Sequence, residues 1–136
     1  MKKTLQTLII LTSLCFGLNA VAAGGDCANE EHYPLISHAA LTQSIQAKSI
    51  TVIDVNSQDS FNKNHVTGAF HYGSHESDFD KLLPAKKDAQ IVAYCGGPKC
   101  GAWKKAAERA CEQGYTNIFH YKDGISGWVK AEKKAS

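Results

Sequence analysis

Arginine is almost missing from this 136-residue chain: Arg109 is the only one. Surfaces that read phosphates rely on planar, bidentate guanidinium groups, so a nucleic-acid interface is excluded. No apolar run reaches the ~20 residues that a membrane-spanning helix needs. Neither sign of charge dominates, with 15 basic and 13 acidic side chains. The net +2 therefore carries no message about an acidic partner. Internal repeats, linkers and low-complexity tracts are also missing, which leaves room for one compact domain and not two.

The N-terminus has the three parts of a secretory signal. Lys2 and Lys3 precede an apolar run over residues 8–18, and small residues follow at 19–23. Such a segment is removed on export, with cleavage expected after Ala23, or after Ala22 as the second choice. Cys15 leaves with it. The expected organisation is a signal peptide at 1–23, an irregular lead-in at 24–35 and one domain at 36–134. Export implies a periplasmic or secreted protein with no membrane attachment after cleavage. Loss of Lys2 and Lys3 leaves 13 basic residues against 13 acidic ones, so the mature domain is formally neutral. Cys27, Cys95, Cys100 and Cys111 remain, and in an oxidising compartment an even count invites disulfides.

Ser37 suits a helix cap ahead of an apolar stripe at Ala40, Leu41 and Ile45. Residues 50–55 are continuous and mostly β-branched, the pattern of a strand buried on both faces. The spacing predicts a short helix over 57–64, strands over 68–72, 89–94 and 117–121, and a helical turn over 78–83 stopped by Pro84. A clearer helix follows residue 100, with Trp103, Ala106, Ala107 and Ala110 on one face and Gly114 ending it. A last helix covers 124–134. Strands alternating with helices predict an α/β fold with a parallel sheet and right-handed crossovers.

Between the third strand and its helix lies Tyr94-Cys-Gly-Gly-Pro-Lys-Cys-Gly-Ala-Trp103. Gly96 and Gly97 permit a tight loop whose amides point inward, and a helix starting near Gly101 or Ala102 adds partial positive charge. A thiol placed there has its pKa depressed and is a competent nucleophile. Open α/β sheets also place their sites at the carboxyl ends of strands.

Several segments in order now resemble the rhodanese family: Val52-Ile-Asp-Val55, then Phe61 and His65-Val-Thr-Gly-Ala69, then Ile91-Val-Ala-Tyr-Cys95, then Gly114-Tyr-Thr-Asn-Ile118, then Asp123-Gly-Ile-Ser-Gly-Trp128. Together they cover roughly residues 36–130. The resemblance implies about five parallel strands with helices on both faces. It makes Cys95 the carrier of a persulfide, with Gly96, Gly97, Lys99 and Gly101 as the substrate-binding loop. It implies a small sulfur donor, such as thiosulfate or a persulfide, and a thiol or cyanide acceptor. No cofactor or metal is implied, and a protein partner in the periplasm is a further option. One departure matters. Family members commonly carry a basic residue, often arginine, five places after the nucleophile, where this chain has Cys100. That absence also argues against a related phosphatase. The loop cysteines with Trp103, and residues 122–128, also resemble a periplasmic rhodanese-like subgroup associated with quinoprotein alcohol oxidation, although its loop cysteines are spaced differently.

A helix over 101–113 sets Cys111 about 16 Å along the axis from Cys100, beyond the ~7 Å Cα separation a disulfide tolerates. Of the three complete pairings, this leaves Cys95–Cys100 with Cys27–Cys111. Cys100 then has two readings: a second thiol that attacks the Cys95 sulfur, or half of a static brace. The corresponding functions are a sulfurtransferase, a thiol-disulfide redox protein using Cys95 and Cys100, and a non-catalytic accessory or sulfur-binding module.

Other residues receive blander readings. Asp54, ending a buried strand, is expected to support loop amides. His65, His71 and His75 read as exposed loop histidines and not metal ligands, and Trp103 and Trp128 as core. Lys99, the only cation inside the loop, is either a substrate contact or a solvated side chain.

Overall fold

A computed structural model describes residues 25–135. The expected signal segment therefore lies outside the described residues. Among the described residues no helix is long and apolar enough to cross a membrane.

Four strands form one sheet in the order β2-β1-β3-β4, all parallel. They are β1 (Ile50–Asp54), β2 (Phe70–His71), β3 (Gln90–Tyr94) and β4 (Ile118–His120). The expected fifth strand is reduced to a single parallel bridge, Leu35 to His120, at the β4 edge. The central pair is in register from Ile50 opposite Gln90 to Asp54 opposite Tyr94. Both strands thus end at one level, and Cys95 emerges at the carboxyl edge.

The helices are α1 (His38–Gln46), α2 (Gln58–Lys63), α3 (Phe79–Leu82), α4 (Lys104–Glu112) and α5 (Gly124–Ala135). Ser37 and Ser57 cap α1 and α2, each hydroxyl accepting from the amide three residues on. Strand side chains alternate between faces, and here both faces are covered. Ile53, Ile91, Ala93 and Ile118 join Phe79 and the alanines of α4 in one core. Val52, Val92 and Tyr94 join Leu41, Tyr121 and Trp128 in the other. Trp103 and Trp128 are both buried.

Three local expectations need correction. The second strand is two residues long, not five, because Gly68 (φ 78°) sits in a turn closed by the Ala69 amide on the Val66 carbonyl at 2.9 Å. Helix α4 begins at Lys104, and the Lys104 and Lys105 amides reach back three residues, to Gly101 and Ala102. A tight turn therefore leads into the helix at 101–103. His71 is not an exposed loop residue. It is buried, with Nδ1 2.8 Å from the Ser74 hydroxyl and Nε2 2.8 Å from the Asn56 carbonyl.

A disulfide joins Cys27 to Cys111, 84 residues apart in sequence, with Cα atoms 5.7 Å apart. It clasps the lead-in to the end of α4. Beside it the Tyr33 hydroxyl donates to the Cys27 carbonyl at 2.5 Å, and burial raises that hydroxyl's pKa to about 12. Closing so long a loop restricts the unfolded chain strongly. The C27S/C111S variant should lose about 2–4 kcal/mol of stability, read as a lower urea midpoint with a steeper slope, because the unfolded chain is then less compact.

Candidate active site: the Cys95–Cys100 loop

Cys95 leaves β3 on the face that packs against α4 and is only 2% exposed. Its sulfur is bonded to Cys100, with Cα atoms 6.2 Å apart. Between them residues 97–100 form a β-turn in which the Cys100 amide donates to the Gly97 carbonyl at 3.0 Å. Pro98 occupies the second position, where its fixed φ suits such a turn. The turn is made without a left-handed residue, since none of Gly96, Gly97 and Gly101 has positive φ.

What holds the loop is α5. Its first amides, Ile125 and Ser126, donate to the Cys95 and Gly96 carbonyls at 2.9 and 3.1 Å. Amides at a helix start have no partner within the helix, and here the cysteine loop supplies the acceptors. The approach is close because residue 124 is glycine. A Cβ there would lie 2.5 Å from the Cys95 carbonyl oxygen and 2.6 Å from the Gly97 nitrogen, and its φ of 59° is one that L side chains rarely adopt.

Asp54 supports the region from the other face. It is fully buried, and one oxygen accepts from the Asn56 backbone and side-chain nitrogens at 2.7 and 2.8 Å. The other accepts from the Tyr94 hydroxyl, which in turn accepts from the Val66 amide at 2.9 Å. Burial, and then the bond to Asp54, push the Tyr94 pKa upward, so this phenol stays a neutral donor. Asp54 thus anchors the residue before Cys95 and a neighbouring loop, and it touches no amide of the cysteine loop itself. Asn56 lies beside Gly96, with its oxygen 3.8 Å from where a Cβ would be.

The remaining predicted loop residues divide. Lys99, Cys100 and Gly101 line an open groove of about 680 Å³, whereas Gly96 faces α5. The far side of the groove comes from the lead-in, with Glu30, Tyr33 and Leu35, and its base from Trp103 and His120. His120 stacks on Trp103 with ring centroids 3.7 Å apart. Burial, and then Lys122, depress its pKa to about 4, so the ring is neutral near pH 7. Lys104 pairs with Glu30. Arg109 does not enter the site. It donates to the Glu76 carbonyl at 2.7 Å and the Asp80 carboxylate at 3.1 Å, beside α3.

Gly124, His120 and Tyr33 escaped the sequence reading as site residues. Gly124 stood inside a family-like segment, which was the available signal. His120 and Tyr33 reach the site only through strand pairing and the Cys27 clasp, and no local pattern announces them.

With this geometry in place, the family profile described as Rhodanese-like domain matches residues 37–131. This chain belongs to the rhodanese-like domain family. A curated relative from Shewanella oneidensis, thiosulfate sulfurtransferase GlpE, is 31% identical over 91 residues, covering 67% of this chain and 87% of its own. The BH2092 protein of Bacillus halodurans has a similar fold, with TM-score 0.62, 24% identity and 75% of each chain covered. So has the human single-domain sulfurtransferase TSTD1, with TM-score 0.56, 20% identity, 71% of this chain and 96% of that one.

Two outcomes follow from the packing. Gly124→Ala should cost more than about 2 kcal/mol, from the left-handed backbone and the backbone clash together, measured by urea denaturation. His120 has a folded pKa of about 4 against an ordinary 6.5. The unfolded chain therefore binds more protons between these values, so stability is full above the window and falls as pH drops through it. His120→Phe, which keeps a stacking ring, should flatten the dependence of melting temperature on pH between 4 and 6.5.

Proposed function

We propose that this rhodanese-like domain is a sulfurtransferase that carries sulfane sulfur as a Cys95 persulfide, and that the Cys95–Cys100 disulfide is its oxidised resting form. The observation that carries the reading is the placement of Cys95. It sits at the carboxyl end of a central parallel strand, its carbonyl is held by the start of α5, and its sulfur is within bonding reach of a second cysteine. The basic N-terminus and short apolar run support export to the periplasm or beyond, an oxidising setting in which such a disulfide persists.

The chemistry begins with reduction of the disulfide by an external thiol. The Cys95 thiolate then attacks the sulfane sulfur of a donor of the thiosulfate class, the class named for the Shewanella relative. The donor's sulfur–sulfur bond breaks, sulfite leaves with the electron pair, and Cys95 holds the persulfide. An acceptor thiolate or cyanide removes the outer sulfur and restores the Cys95 thiolate. Cys100 offers a second exit. Its thiolate attacks the inner sulfur of the persulfide, forms the Cys95–Cys100 bond and expels hydrosulfide. Lys99 supplies the cation nearest to the usual arginine position, but as a point charge it clamps an oxyanion less firmly. Turnover with thiosulfate is accordingly expected to be slow.

The disulfide also favours a second reading, a thiol-disulfide redox protein working through the same pair. Mass spectrometry separates the two. After reduction and exposure to thiosulfate, a sulfurtransferase lacking the second thiol (Cys100→Ser) gains about 32 Da on Cys95, and the Cys95→Ser form gains nothing; a redox protein gains nothing in either form. Cys100→Ser should lengthen the persulfide lifetime and suppress sulfide release, and an unchanged lifetime removes Cys100 from the cycle.

A further inference from the structure

The two sulfurs of the loop disulfide are not equivalent. Cys95 is 2% exposed and packed in the core beneath α4. Cys100 is partly exposed and lines the groove described above as well as a smaller hollow formed with Gly97, Pro98 and Lys99. Cys95 lines neither. Thiol–disulfide exchange needs an incoming thiolate to reach one sulfur along the sulfur–sulfur axis, and access decides which sulfur is attacked.

The groove has its own chemistry. Its cations are Lys99, Lys104 and Lys122, and its carboxylates are Glu30 and Glu31. Lys104 and Glu30 neutralise each other, and His120 is uncharged near pH 7. Lys99 and Lys122 therefore face Glu31 with a surplus of one positive charge. Trp103, Tyr33 and the largely exposed Leu35 give it apolar surface. The wall bearing Tyr33 and Leu35 belongs to the lead-in that Cys27–Cys111 fastens down.

We propose that this groove is a binding site for a small anionic thiol, and that Cys100 is the sulfur it attacks. The thiolate of the ligand forms a bond to Cys100 Sγ, the Cys95–Cys100 bond breaks, and Cys95 leaves as a thiolate. A second thiolate equivalent then attacks the sulfur of the bound ligand. It forms the ligand's own disulfide and releases Cys100, so that two electrons have passed from two thiols to the protein. The order of events has a consequence for sulfur transfer. The buried thiolate is freed first, while the accessible cysteine is capped by the mixed disulfide. A donor arriving at that stage meets a free Cys95 thiolate and competes with its return to the mixed disulfide on Cys100. This inference rests on the reading of Cys95 as the sulfur carrier only for that consequence; the point of attack and the charge preference stand apart from it.

The experiment uses the oxidised protein and two probes, mercaptosuccinate as the anionic thiol and 2-mercaptoethanol as the neutral one. Rates of disulfide opening are compared per concentration of thiolate. Acid quenching at the shortest times, alkylation and peptide mapping locate the adduct. The expected result is the mercaptosuccinate adduct on Cys100 with an alkylated Cys95. The wild-type rate ratio should favour the anionic probe, and K99Q/K122Q should reduce that ratio about fivefold, the size expected for two exposed charge contacts. An adduct found first on Cys95, or on both cysteines equally, overturns the assignment of Cys100. A ratio at or below one, or one that the lysine substitutions leave unaltered, overturns the anionic site. None of these outcomes depends on whether thiosulfate adds a sulfur to Cys95, which the mass measurement on the reduced protein decides separately.

Discussion

The seating of two backbone carbonyls on the first amides of α5 is the constraint on which the site depends. The Cys95 and Gly96 carbonyls accept from Ile125 and Ser126, and the contact is close enough that only a glycine fits at 124. A helix start has unpaired donors, and a loop leaving a parallel strand has unpaired acceptors. Joining them satisfies both without side chains. The cysteine between β3 and α4 is therefore positioned by backbone from a helix almost thirty residues further along the chain. Cys95 is thereby held at the sheet edge by its backbone as well as by the bond to Cys100.

Around that seat the two faces of the sheet have different duties. On one side Asp54, Tyr94 and the Val66 amide form a buried chain of hydrogen bonds that fixes the end of β3. A buried carboxylate and phenol are costly unless fully satisfied, and here each has its partners. On the other side α4 covers Cys95, and the lead-in is fastened to α4 by Cys27–Cys111. The second disulfide thus does more than restrict the unfolded chain. It places Tyr33 and Leu35 opposite Cys100 and turns an open sheet edge into a groove.

The loop holds no arginine and has a second cysteine, Cys100, five places after Cys95. An arginine would hold an anionic donor by two parallel hydrogen bonds. Lysines spread around a groove attract anions more loosely and with less dependence on shape. Under the proposed function, Cys100 would give the persulfide an internal attacker and the oxidised protein an accessible entry point. Arg109, the one arginine of the chain, is committed to the Glu76 carbonyl and Asp80 at the far end of α4.

Much of this was legible in the residues alone. Continuous β-branched runs marked the central strands, serines marked the starts of α1 and α2, and the Cys-Gly-Gly-Pro-Lys-Cys segment marked the loop. These are local signals: side-chain period, capping oxygens and turn residues act within a few positions of the chain. The length of β2 was misread because Gly68 belongs to a turn and not to the strand that follows. His71 was misread because its burial depends on Asn56 and Ser74, which only the fold brings near. The sequence by itself determined the order of elements, the family and the cysteine at the strand end. Tertiary structure alone decided that Gly124 seats the loop, that Cys95 is buried while Cys100 faces a groove, and that Tyr33, His120 and Lys122 border it. Those outcomes come from contacts between segments far apart in the chain, and local propensity contains no record of them.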